Sequence, residues 1–246
     1  MNTWIALARA ESLKVKRSLA LLVVAAAPVL TTFLYFLVMM KDRRGAALVQ
    51  PWENYAHVVL SLWSFLALPM LATLLATLVN GVEHQNGMWK HLFAQPVPRW
   101  KVLAVKALAS LALLGFACLL LLPCMAAFGR LLHLLKPGLG FGAPFPFRTL
   151  AIAVARPFLA AWLMLALHHW ISLRSASMTL SLGSGMLGLI GAFVVVNSNT
   201  WGPLYPWCLA LRATQPGSAP LGVMVLGIGG GLLIWALACW DGSRRD

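Results

Sequence analysis

The sequence predicts an all-α integral membrane protein with six transmembrane helices, an N-terminal amphipathic interfacial helix and one further short helix in a loop. Three observations predict it. Of 246 residues, 61% are hydrophobic and 10% charged, whereas a soluble domain has about 25% charged residues, so the polar surface of a water-soluble fold is missing. Apolar residues fall in stretches of about 20, enough to cross a hydrocarbon core of about 30 Å at about 1.5 Å per residue. The nineteen Lys and Arg residues, which set a formal net charge of +13, lie mostly between those stretches, at the depth of phospholipid headgroups. No basic helix or aromatic-basic platform accompanies them, so the charge points to membrane lipid and not to nucleic acid.

The apolar runs cover residues 19–40, 57–80, 102–129, 149–173, 175–197 and 219–240. Residues 1–18 precede the first run, 81–101 form a polar segment between the second and third, and 241–246 form a tail. The first run is too long for the apolar region of a cleavable signal and reads as a retained anchor. Pro28, Pro69, Pro123 and Pro157 fall inside runs and predict kinks of the kind a helix bundle tolerates. With the amino terminus inside, eleven Lys and Arg residues fall on the cytoplasmic side and eight outside. Together with the dense cluster before the first run, this places both termini in the cytoplasm.

Small residues recur every four positions as Ser184, Gly188 and Ala192 in the fifth run and as Gly227 and Gly231 in the sixth. Such stripes let helix backbones approach closely, within the bundle or between two subunits. The four cysteines, Cys118, Cys124, Cys208 and Cys239, lack ligand spacing and read as small packing residues.

Four segments stand out. In the first, a helix over the amino terminus puts Trp4, Leu7, Ala8 and Val15 on one face and Arg9, Lys16 and Arg17 opposite, suited to a membrane surface. Glu11 falls within the apolar face, where it needs a partner: Lys14 at i+3, or a basic residue elsewhere in the protein or on a partner. In the segment after the second run, Met88, Trp89, Leu92 and Phe93 share a helical face, and Pro96 and Pro98 end it. Four large apolar groups in a loop call for another surface, the bilayer or a partner's groove. The third segment, 130–148, is an outer loop rich in Gly, Pro and Phe. The fourth, between the fifth and sixth runs, carries Trp201, Pro203, Tyr205, Pro206 and Trp207, as interface anchors or as a re-entrant element. Arg156 lies near enough to the outer headgroups to snorkel. His168 and His169 point about 100° apart and so do not share a metal, and interfacial hydrogen bonding accounts for them best.

Several function classes lack their residues. No acidic residue among Glu11, Asp42, Glu53, Glu83, Asp241 and Asp246 falls in mid-run, which disfavours a proton- or sodium-driven transporter. No Gly-Lys pair occurs, so no phosphate-binding loop does. H-E-x-x-H is absent as well. Ser184 between two glycines has no histidine base in the sixth run, which disfavours an intramembrane serine protease.

The opening Trp4…Glu11-x-x-Lys14-x-Lys16-Arg17, the segment Glu83…Gly87-Met88-Trp89-Lys90-x-Leu92…Pro96-x-Pro98-Arg99 with Lys106 beyond it, and the aromatic outer loop together carry a resemblance. The chain resembles a membrane subunit of the ABC type-2 exporter superfamily, nearest to permeases of the lantibiotic-immunity and bacitracin-resistance kind. The resemblance spans the whole chain and implies a bacterial inner-membrane permease that is not itself an enzyme. Two copies of a separate ABC ATP-binding subunit would supply ATP and Mg, and this chain itself would hold no cofactor or metal. A second permease, identical or homologous, would complete the transporter. The resemblance makes 81–101 a coupling helix docked through Met88, Trp89, Leu92 and Phe93 and anchored by Glu83. It makes the segment with Trp4, Glu11 and Lys14 a connector helix, and Trp201, Tyr205 and Trp207 an outer re-entrant hairpin. The implied cargo is an amphipathic peptide antibiotic or a lipid-like compound. A non-transporting scaffold and a membrane-embedded enzyme are the alternatives.

Overall fold

A computed structural model describes residues 3–41, 50–85, 87–215 and 220–244. Asp42, Arg43, Arg44, Arg245 and Asp246, which entered the charge argument, lie outside the described residues, as does 219, the expected start of the sixth run. Every regular element among the described residues is helical. Helix α1 (Thr3–Lys16) precedes α2 (Ala20–Lys41). Next, α3 (Pro51–Leu62) runs through a π-helical turn at Trp63–Ala67 into α4 (Leu68–Gln85). Short α5 (Trp89–Phe93) leads to long α6 (Arg99–Leu135), and α7 (Phe147–Ala160) to α8 (Trp162–Arg174). The chain ends with α9 (Met178–Val195), short α10 (Pro206–Arg212) and α11 (Pro220–Ser243). Five helical stretches are long and apolar enough to cross a membrane, and α7 with α8, bent by 41°, makes a sixth.

Two of the four prolines sit at breaks. Pro69 lacks an N–H and its ring crowds the preceding turn, and the π turn just before it absorbs the crowding, with Leu68 N–H bonded to the Trp63 carbonyl. The bend between α7 and α8 falls at Ala161, one turn after Pro157, where the Ala161 N–H is shared by the carbonyls of Pro157 and Phe158. Helices α2 and α6 continue through Pro28 and Pro123.

Two spans are longer than their apolar runs. Pro51–His84 has 34 residues and α6 has 37, about 51 and 55 Å at 1.5 Å per residue. Both exceed a core of about 30 Å, so their ends project from it. At one projecting end lie Glu83, α5 and Lys106. At the other, the Gly- and Pro-rich segment before α7 has a packing role that its composition did not disclose. Phe141 is fully buried and meets Trp52 edge-on at 5.1 Å, while the Trp52 indole N–H donates to the Ala143 carbonyl at 2.9 Å. Lys136 Nζ donates to the Met39 and Met40 carbonyls at 3.1 and 2.7 Å, closing the end of α2 where helical acceptors run out. The loop is a plug over the bundle.

The small-residue stripes are used inside this chain. A Cβ on Gly227 would lie 2.6 Å from the Ala160 backbone, and one on Gly231 would lie 2.8 Å from the Trp162 carbonyl carbon. Thus α11 presses backbone to backbone on the α7–α8 bend. In α9, Gly188 accepts the Trp207 indole against its Cα, and Ala192 is fully buried. Of the two readings of these stripes, the contact within the bundle is the one made at Gly188, Gly227 and Gly231.

Candidate functional site

The projecting ends of α4 and α6 meet α1 in a buried ionic cluster. Lys106 Nζ, with no exposed surface, donates to Glu83 Oε2 at 2.6 Å, Glu11 Oε1 at 2.9 Å and the Val79 carbonyl at 2.9 Å. An ammonium has three protons, and all three are taken. Lys14 Nζ bridges the other oxygens, Glu83 Oε1 at 2.6 Å and Glu11 Oε2 at 3.2 Å. Two carboxylates and two ammoniums thus form a neutral ring joining three helices. Burial disfavours the Lys14 charge, but the hydrogen bond to Glu83 and the charges of Glu11 and Glu83 outweigh it and hold this ammonium above its ordinary pKa. Both partners considered for Glu11 are present together, Lys14 on its own helix and Lys106 far along the chain.

Next to the ring is a second polar group. Asn80 Nδ2 donates to Ser172 Oγ at 2.7 Å and lies 3.2 Å from His169 Nδ1, and His84 Nε2 sits 3.0 Å from the Ser172 carbonyl. His168 and His169 are both buried. Helices α4, α9 and α11 cover α8, so its histidines face neighbouring helices. The His168 ring stands edge-on to Trp207 at 5.3 Å. Among the described residues, no three His, Cys, Asp or Glu side chains are arranged to hold a metal. Arg156 is exposed on α7.

Helix α5 hangs directly below the ring. The Trp89 ring lies 5.7 Å from Lys106 Nζ, 5.4 Å from the His84 ring and 5.3 Å from the Phe93 ring. Of the expected docking face, Met88 is exposed, whereas Trp89, Leu92 and Phe93 are half-buried. Trp89 and Phe93 line a cavity of about 620 Å³ between α5 and the ends of α8 and α11. Across it, Arg174 grips Asp241 through two hydrogen bonds, at 2.7 and 3.1 Å, and the Trp170 indole N–H adds a third at 3.0 Å.

At the opposite end, the segment with Trp201, Tyr205 and Trp207 folds back along α9. Tyr205 Oη donates to the Gly188 carbonyl at 2.9 Å. Gly188 is seven residues inside the end of α9, about 10 Å of descent along the helix. Helix α10 follows with Cys208, Leu209, Ala210 and Leu211 buried, and Arg212 caps α9 through the Val196 and Ser198 carbonyls at 2.9 and 2.7 Å. Trp201 stays outside, exposed. Tyr205→Phe is expected to lower stability by about 1 kcal/mol, the net worth of one hydrogen bond, read as a small drop in the unfolding midpoint.

An N-terminal helix tied by charge to two spans, a short helix hung beneath the tie and a hairpin folded back at the far end set the architecture. A family model described as ABC-2 family transporter protein matches residues 7–195, which include most of α1, the ionic ring, α5 and the first five spans. The chain belongs to the ABC-2 transporter family. It is therefore a multi-pass membrane permease subunit, and the family implies pairing with an ATP-binding subunit. No curated protein and no solved structure matches this permease significantly.

Sequence reasoning placed Glu11, Lys14 and Glu83 in the permease's site and met Lys106 only as part of a motif. Lys106 is the hub. It is a lone cation about two turns inside an apolar helix, and nothing in the sequence pairs it with two carboxylates from other helices. Asn80 and Ser172 were missed, although Asn80, Glu83 and His84 at i, i+3 and i+4 mark a polar face on the end of α4.

Proposed function

We propose that this chain is the membrane-spanning half of an ATP-driven exporter, with α5 as the docking element for its ATP-binding subunit. The observation that carries this reading is the position of α5 under the ionic ring. A push on α5 reaches Trp89, which packs on the cation holding α1, α4 and α6 together. Two ATP-binding subunits carrying ATP and Mg, on a pair of permeases that are identical or homologous, would supply that push at the cytoplasmic face of a bacterial inner membrane, and both termini would lie on the same face. Closure of the ATP-binding subunits would then shift the spans between inward- and outward-facing states.

Away from the ionic ring and the Asn80 group, the interior between spans is mostly apolar, which suits an amphipathic peptide antibiotic or a lipid-like molecule better than a polar solute. The subtype resemblance to lantibiotic-immunity and bacitracin-resistance permeases supports the same cargo class by analogy.

The docking test should avoid Trp89, because a substitution there also strikes the ionic ring. Met88 is 44% exposed and neighbours exposed Lys90 and His91, so charge changes there leave the fold within about 0.5 kcal/mol. The double variant Met88→Asp, Lys90→Glu is expected to insert normally, to lose the co-purifying ATP-binding subunit and to lose cargo-stimulated ATP turnover. Full turnover by that variant overturns the docking assignment. A stable complex whose turnover ignores every cargo tried would favour a scaffold.

A further inference from the structure

Between α1 and the first half of α6 lies a cleft of about 660 Å³. Ile5, Ala8 and Val15 wall one side, and Leu108, Ala112 and Leu113 the other. The polar groups lining it are Glu11, Ser12, Lys16 and the Trp4 indole, over which Lys101 Nζ stands at 6.0 Å. Glu11 offers no free charge, since Lys14 and Lys106 hold both its oxygens. The Ser12 hydroxyl donates to the Arg9 carbonyl at 2.8 Å. That leaves Lys16 as the charge at the mouth, exposed, with Arg9 two turns earlier on the same face and also exposed.

The cleft opens onto a bare face of α6 on which Leu108, Phe116 and Leu119 are 57%, 50% and 66% exposed. In a membrane-crossing chain, such a face meets acyl chains. An apolar slot continuous with lipid-facing surface and rimmed by cations matches one ligand chemistry: a hydrocarbon tail with an anionic head. We propose that this cleft binds a single anionic phospholipid, its acyl chain between α1 and α6 and its phosphate at Lys16 and Arg9. The lipid would hold α1 against α6 on the very helix that carries Glu11 and Lys14, so its occupancy and the ionic ring act on one element. The ATP-binding subunit has no part in this site, so its test stands apart from the docking test.

The test uses the full chain, stripped of lipid in mild detergent and then given phosphatidylglycerol or phosphatidylcholine, with bound lipid and oligomeric state read together by native mass spectrometry. One phosphatidylglycerol per chain should bind in preference to phosphatidylcholine. Ala112→Trp should abolish that binding by filling the slot, and Ala8→Leu, which narrows it from the exposed side of α1, should weaken it. Lys16→Gln should cut the preference for the anionic lipid about fivefold, the effect of one cation at a charged membrane surface. Leu119→Trp, two turns along the same bare face of α6, should bind as the parent does and controls for insertion. Undiminished lipid on Ala112→Trp, or no preference for the anionic headgroup, overturns the proposal. Conversion of a dimer to a monomer by Ala112→Trp with the lipid count unchanged would instead make the cleft an interface between copies.

Discussion

Lys106→Met is expected to destabilise the permease by about 3–5 kcal/mol, the cost of removing one partner from a buried ion pair. Methionine fills much of the same volume, so packing is nearly retained and the loss is electrostatic. Without the ammonium, Glu11 and Glu83 keep only Lys14, and the Val79 carbonyl loses its donor. The measurement is the thermal unfolding midpoint of the detergent-solubilised chain. Adding Glu83→Gln should recover part of the loss, since it leaves Glu11 alone with Lys14 and removes the uncompensated charge, and the non-additivity of the pair measures their coupling. A midpoint for Lys106→Met equal to the parent's would mean that the ring does not hold these helices together. The ring would then be a poor route for any signal from α5.

Gly227→Ala is expected to cost about 1–3 kcal/mol, toward the upper end for an overpacked site. Its new methyl would meet the Ala160 Cα and carbonyl oxygen at 2.6 Å, and backbone cannot rotate away as a side chain can. Gly229, on the same helix, provides the contrast: a Cβ there meets nothing within 4 Å. Gly229→Ala should therefore be neutral or gain about 0.4–1 kcal/mol through the unfolded chain. Unfolding midpoints of the two variants, read beside their size by light scattering, separate the readings. If Gly227→Ala dissociated a dimer and left the midpoint unchanged, the stripe would belong to an interface between copies.

These two positions also show what could be read in one dimension. Gly227 and Gly231 announce a close helix contact by their spacing, but spacing is the same for a neighbour in the chain and a neighbour in another chain. Only the bend at Ala161, which brings Ala160 and Trp162 under α11, identifies the partner. Trp89 is a similar case. Periodicity put it with Met88, Leu92 and Phe93 on one face, yet whether that face turns outward depends on Lys106 and His84, contributed by helices on either side of the loop. The 130–148 segment looked like an irregular loop because its order comes from Trp52 and the end of α2, both distant in sequence.

The class of this protein was determined by the sequence alone. Lipid is a solvent that demands long apolar runs and internally bonded backbone, and both demands are written locally in residue type. The helices α1 and α5 and the aromatic segment before α10 were likewise legible, because helical period and turn residues are local. Which charges neutralise each other, which glycines meet which backbone and which face of α5 is free were decided by tertiary structure. Those are relations between residues tens of positions apart. A buried lysine finds two carboxylates only when three helices close around it, and until then each of the four charges reads as an isolated cost.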